Sequence, residues 1–214
     1  YLEPGESREM TFSVTVPDRI VSGGYEKQKL QLLADGSGQM EEVVFFTAAK
    51  RKHPFVFLTE EELEEVREKT GRCSWAKENY CRCLSQEEAW EAPSIQPGRR
   101  FLFWTADGHH ARSCAILYRL GGGDAYKEKA IHFLKELSHP DYGYLHNPRA
   151  CSQELVHEGE FFKSVAFAYD LLYEEPELTI QDHKNIEAVL RKFMDYIDRI
   201  ARSGNISNWT LAEI

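Results

Sequence analysis

The side chains best suited to bind or transform a ligand lie in a few short stretches. Asn205 and Asn208 follow Gly204 and lead into Trp209. A side-chain amide can both donate and accept hydrogen bonds, so it can hold a charged or polarised oxygen. Directly after a glycine it can equally serve as a helix-ending or N-capping group. Both asparagines also head Asn-x-Ser/Thr triplets, a glycosylation pattern that is frequent by chance. His109 and His110 follow Asp107-Gly108 at an expected helix start. Neighbours on a helix point ~100° apart, which makes them a poor chelating pair. They read as a polar helix entry, or as one ring facing a ligand groove. Trp104, Tyr144 and His146 fall between expected helices, where an aromatic ring can stack on a ligand or pack into the core. Arg99, Arg100, Arg112, Arg149 and Lys163 could supply local positive charge, although scattered basic residues are usually plain surface. His157-Glu158-Gly159-Glu160 lacks the HExxH spacing, so no zinc-protease reading follows, and neither a metal nor a cofactor is expected.

The bulk of the chain limits what these groups can serve. In 214 residues, 42% hydrophobic and 29% charged, there is enough apolar surface for a real core. The net charge of −9 argues against a nucleic-acid partner, because phosphate backbones reward clustered Lys and Arg. An anionic ligand would have to be met by local cations instead. No apolar run approaches the ~20 residues of a membrane span, so no membrane partner is expected. Residues 1–7 carry no apolar stretch of the signal-peptide kind. Five cysteines, Cys73, Cys81, Cys83, Cys114 and Cys151, have neither disulfide-framework nor zinc-pair spacing and read as free or partly buried thiols.

The elements that must position these groups change character near His53-Pro54. Before it, Met10, Phe12, Val14 and Val16 alternate with polar residues, a second run holds Leu30 and Leu32, and Val43–Phe46 makes a third. Three strands separated by Gly-rich turns predict a small antiparallel sheet over residues 1–52, part of an immunoglobulin-like sandwich that begins inside a domain. After it, Thr59-Glu60-Glu61-Glu62 is a capping box, with Gly71 as the expected helix end. Helices are predicted from Ser74 to Trp90, Ala111 to Leu120, Ala125 to Leu137 and Glu154 to Tyr173. A last one, capped by Thr179, carries the stripe Ile186, Val189, Leu190, Phe193, Ile197 and Ile200 and ends at Gly204. Residues 53–214 thus read as antiparallel helical hairpins.

Within that array several motifs carry a family resemblance. His53-Pro54-Phe55-Val56-Phe57-Leu58-Thr59-Glu60-Glu61-Glu62-Leu63 resembles the entry to the toroid domain of the heparinase II/III and alginate lyase superfamily. Ala115 to Leu120, followed by Gly123-Asp124-Ala125-Tyr126 and Ala130, resembles its first helical hairpin, and Ala168-Tyr169-Asp170-Leu171-Leu172 its AYDLL stretch. Gly204-Asn205-Ile206-Ser207-Asn208-Trp209 resembles the N-H-x-x-W element, with Ile206 where histidine is common. The resemblance implies the front portion of an (α/α) toroid in a secreted, periplasmic or cell-surface polysaccharide lyase. Such an enzyme cleaves uronate-containing polysaccharide by β-elimination. Asn205, with Asn208 as competing candidate, would neutralise the uronate carboxylate, and one such donor is worth ~3 kcal/mol. Trp209, Trp104, His109, His110, Tyr144, His146 and Arg149 would line the acidic glycan. In such enzymes the general base and acid lie on later helices, so these 214 residues are expected to be inactive by themselves.

Two other functions remain open at this level. An (α/α) glycoside hydrolase needs two carboxylates across the scissile bond, for which Asp107 and Asp170 are the nominees. A non-catalytic glycan-binding or adaptor module needs neither.

Overall fold

Thr59 begins the helical part of the chain by the chemistry its spacing predicts. Its hydroxyl accepts from the Glu62 amide at 3.3 Å while the Glu62 carboxylate accepts from the Thr59 amide at 2.8 Å. Two orphan donors of the first turn are thereby satisfied. In the computed structural model, which describes residues 24–33, 40–48, 51–94, 105–146 and 155–204 together with positions 9, 11 and 13, this opens α1 (Glu60–Arg72). The helix runs through Gly71 and ends at Cys73, whose extended backbone (φ −108°) turns the chain and whose amide donates to Lys69 O at 2.8 Å. The expected stop at Gly71 is therefore corrected by two residues. Cys73 in turn precedes α2 (Ser74–Ala89) directly.

The remaining helices are α3 (Thr105–Arg119), α4 (Asp124–Leu137), α5 (Leu155–Leu172) and α6 (Ile180–Arg202). Gly123 (φ 108°) sits in a backbone region that L side chains rarely adopt, which fixes glycine at the entry to α4. Thr179 caps α6 as expected, Asp182 closes the cap into a second capping box, and the chain leaves the helix through Gly204 (φ 71°). In contrast, α3 starts six residues before the expected Ala111. Asp107-Gly108 lies inside the helix because Gly108 is a packing position. A Cβ there would stand 3.0 Å from the Phe161 ring and 3.2 Å from its carbonyl oxygen. Its absence lets α3 and α5 approach closely.

The core of this part lies around α3, α4 and α5. Phe133, Leu134, Leu137, Val165, Leu171 and Leu172 are at most 1% exposed, and each contributes on the order of 1.5–3 kcal/mol by leaving water. Phe161 meets Phe133 edge-on at 6.1 Å, and Phe162 stacks on Phe193 at 4.2 Å, which brings the Ile186–Val189–Phe193–Ile197 stripe of α6 onto the same core. His53 and Asp170 fasten the entry segment. The Asp170 carboxylate takes His53 Nδ1 at 2.6 Å and the amides of Phe55 and Val56 at 2.9 and 2.8 Å.

The chain divides between Lys52 and His53 into two units. In the first, β1 (Tyr25–Leu33) pairs antiparallel with β2 (Met40–Ala48), placing Leu30 opposite Val43 and Lys29 opposite Val44. Lys29 and Glu42 form an ion pair at 2.8 Å. Of the expected strand Met10–Val16 only Thr11 and Ser13 are described, and neither is in a strand. The described sheet is a two-stranded ribbon, and the other described elements are six helices.

Candidate functional site

The last turn of α2 is held from outside by α4. Lys129 Nζ donates to the carbonyls of Glu87 and Glu88 at 2.7 and 2.9 Å, satisfying groups that a helix end leaves orphaned. The Tyr126 hydroxyl donates to Leu84 O at 3.1 Å. With its backbone so fixed, Glu87 turns its side chain inward, 5% exposed, while adjacent Glu88 faces solvent.

Glu87 meets α3 through His110, whose Nδ1 lies 2.7 Å from Glu87 Oε2. A carboxylate only accepts, so the neutral imidazole carries its proton on Nδ1 and presents the Nε2 lone pair. Trp90, one residue past α2, stacks on the imidazole at 5.3 Å and 18°. The Trp90 indole N–H reaches Asp107 Oδ1 at 3.4 Å. The ring of His110 is thus fixed in tautomer, in rotation and on one face, yet its side chain remains 35% exposed.

His109 makes the corresponding contact on the other side of α3. Its Nε2 lies 3.0 Å from Glu160 Oε1 on α5, with Arg112 Nη1 3.8 Å from the same oxygen. Lys163 pairs with the other Glu160 oxygen. One carboxylate is thus shared by two permanent cations and an imidazole. Two carboxylate-oriented histidines therefore leave one turn of α3 toward different neighbours, His110 toward α2 and His109 toward α5, as their ~100° separation allows.

Behind His110 the thiol of Cys114 lies 3.9 Å from Glu87 Oε2. Burial first, and the Glu87 charge second, push its pKa up to about 12, which keeps it protonated and unreactive. Cys73, Cys81, Cys83 and Cys114 are all free thiols. Among the described residues no group of three or more His, Cys, Asp or Glu side chains could hold a metal ion, and no helix is long and apolar enough to cross a membrane.

The other expected site residues are scattered. Tyr144 is 5% exposed and packs edge-on against Phe162 at 4.8 Å, which makes it a core residue rather than a stacking platform. Its loop is drawn inward because the Tyr144 amide donates to Leu137 O at 2.8 Å. His146 is exposed at the end of the same turn. Asn205, Asn208, Trp209, Trp104 and Arg149 lie outside the described residues. Asp170, a nominee for hydrolysis, is 2% exposed and has both oxygens occupied by the entry segment, so its role is structural. Glu87 and Glu160, the partners that orient the histidines, carry no sequence signal that separates them from neighbouring glutamates.

Comparison with protein-family models, with curated proteins and with solved structures finds no match for this chain.

Proposed function

We propose that this chain contributes to a lyase that removes a weakly acidic C–H proton from a uronate-containing polysaccharide and so drives β-elimination. The observation that carries the reading is the 2.7 Å contact between His110 Nδ1 and the buried Glu87 carboxylate, with Trp90 stacked on the ring. A general base must hold a lone pair in a fixed direction and be stabilised once it accepts the proton. Glu87 does both, because the imidazolium that forms sits against its negative charge. Arg112 and Lys163 supply positive charge on the same helical unit, which an acidic sugar would meet favourably.

In this proposal His110 abstracts the proton alpha to the sugar carboxylate, the C–H electron pair forms the carbon–carbon double bond, and the glycosidic C–O bond breaks, its oxygen leaving with the bonding pair and taking a proton from solvent water. Asn205 hydrogen-bonds the sugar carboxylate and stabilises the charge that develops on it, as the family resemblance implies. Neutral sugars lack the acidifying carboxylate and should not react.

The test is incubation of the chain, and of any longer protein that carries it, with a panel of uronate polymers while following the absorbance of the unsaturated uronate product. His110→Ala should lower the rate by ~10²–10⁴-fold, the usual worth of a positioned base. Asn205→Ala should lower it by ~10²–10³-fold, the worth of one oxyanion donor. Release of reducing sugar without new absorbance would replace elimination by hydrolysis. An unchanged rate in His110→Ala would remove that residue from the chemistry.

A further inference from the structure

One face of α6 carries a charge order that is complementary to itself. Glu187, Arg191, Met194, Asp198 and Arg202 follow one another at intervals of three or four residues, and all are exposed. That spacing keeps them on one stripe of the helix, ~22 Å from end to end. The core stripe of α6, Ile186, Val189, Phe193 and Ile197, faces inward and shares none of them. Along the chain the exposed stripe runs acid, base, apolar, acid, base. Turned end over end against a copy of itself, it sets Glu187 opposite Arg202 and Arg191 opposite Asp198, each pair formed twice by symmetry. Both pairs fall in a single register, centred beside Met194. Sliding the copy by one turn brings Arg191 onto Arg202 or Glu187 onto Asp198, and a parallel arrangement brings every charge onto its like. Such contacts repel. The stripe selects one direction and one register.

Contacts within the chain leave room for these pairs. Arg202 meets Asp198 at 2.7 Å through Oδ2, and Glu187 accepts from the Tyr169 hydroxyl at 3.2 Å through Oε1. A carboxylate has a second oxygen for a second donor. Beside the charged stripe lies an apolar flank. A groove of about 550 Å³ between α5 and α6 is lined by Ala166, Phe167, Leu190, Met194 and Ala201 among others. Met194 is 67% exposed there. The small side chains of Ala166 and Ala201 let another helix come close. A two-fold axis across the paired helices returns each flank to the same flank of the copy. Charges then meet charges, and the Leu190–Met194–Ala201 flank meets its own counterpart.

We infer that this face of α6 is a self-association surface, and that its occupant is α6 of a second copy of the chain, packed antiparallel. A helix pair of this length sits at the small end of specific interfaces, so the association is weak and reversible. The ion pairs at its rim fix direction and register more than they add affinity. Its residues are distinct from the His109–His110 corner, and the elimination chemistry does not depend on it.

The test is sedimentation equilibrium of the 214-residue chain from ~1 to ~200 µM, the range in which small interfaces associate. The expected result is a reversible monomer–dimer equilibrium that weakens as salt screens the ion pairs. Arg191→Asp sets carboxylate against carboxylate twice per dimer and should weaken association by roughly tenfold or more. Asp198→Arg does the same with cations. The double variant Arg191→Asp/Asp198→Arg rebuilds both contacts with the signs exchanged and should recover the parent's affinity to within about threefold. Met194→Glu loads the apolar flank without touching either pair and should leave the chain monomeric. Circular dichroism should show every variant as helical as the parent, because all three side chains are exposed. A parent that stays monomeric throughout the range overturns the interface. So does a dimer indifferent to Arg191→Asp or to Met194→Glu, which would place the contact elsewhere, as on the exposed β2 strand. A double variant no stronger than the single ones overturns the antiparallel register.

Discussion

Asp170 shows how one side chain can look catalytic in a sequence and be structural in the fold. Its carboxylate faces three donors, His53 Nδ1 and the amides of Phe55 and Val56, at 2.6 to 2.9 Å, and is 2% exposed. Removing it would strand two backbone amides and leave the His53 ring, stacked on Tyr173 at 3.9 Å, without its anchor. Asp170→Ala should therefore cost about 3 kcal/mol of stability, read as a lower urea midpoint at unchanged slope. A loss below 1 kcal/mol would mean that the entry segment is held by other contacts. Cys114 makes a second claim at this scale. With its pKa raised to about 12 by burial and by Glu87, it should resist iodoacetamide at pH 8, while exposed Cys81 is alkylated readily. Peptide mass mapping of the native protein would read the difference, and early labelling of Cys114 would contradict the packing around Glu87. The histidines were legible as a pair. Their partners were not, because Glu87 lies 23 positions and Glu160 51 positions from its histidine, and no local pattern marks a contact at that range.

At the scale of elements, the sequence was most informative where the chemistry is local. Both capping boxes are closed within four residues, so the Thr59–Glu62 box and the Thr179 cap could be read directly, and both helices start where expected. Gly108 was misread because a glycine beside an aspartate looks like a helix entry, whereas its use here is to admit Phe161 from a helix some fifty positions away. The α6 cap also gives a pH-dependent prediction. Burial acts to raise the pKa of Asp182, but hydrogen bonds from Thr179 and the Lys135 ammonium at 3.1 Å outweigh it, and the net shift is downward. A carboxyl lowered by folding stabilises the folded state above its unfolded pKa, and the contribution is lost as pH falls through the folded value. Asp182→Asn should thus cost about 1 kcal/mol near pH 7, a magnitude typical of a lost cap, and the gap to the parent should begin to narrow on acidification below about pH 4. Thermal melts at pH 7 and pH 3 provide the comparison. A gap as wide at pH 3 as at pH 7 would show that shape, not charge, gives Asp182 its role.

At the scale of the molecule, the two units draw on different physics. The buried core among the described residues runs from Leu63 to Ile197 and contains no residue of the strand unit. The strand unit, by contrast, shows Val43, Val44, Phe45 and Phe46 at 36 to 62% exposed on a two-stranded ribbon, an arrangement that is marginal in water by itself. The stripe of α6 and the runs of α4 and α5 made an all-helical core legible in the sequence. Whether the helices close into a ring depends on contacts that no periodicity encodes. If the helical unit draws its stability from its own core, deleting residues 1–52 should leave the 222 nm signal per helical residue unchanged. The unfolding midpoint should move by less than about 4 °C, the shift that ~1 kcal/mol produces in a chain of this size. The strand unit alone should show no cooperative transition. A midpoint that drops well beyond that limit would mean that the exposed valines and phenylalanines of β2 contribute to the helical core, and the division at His53 would then mark a change of secondary structure rather than a boundary of stability.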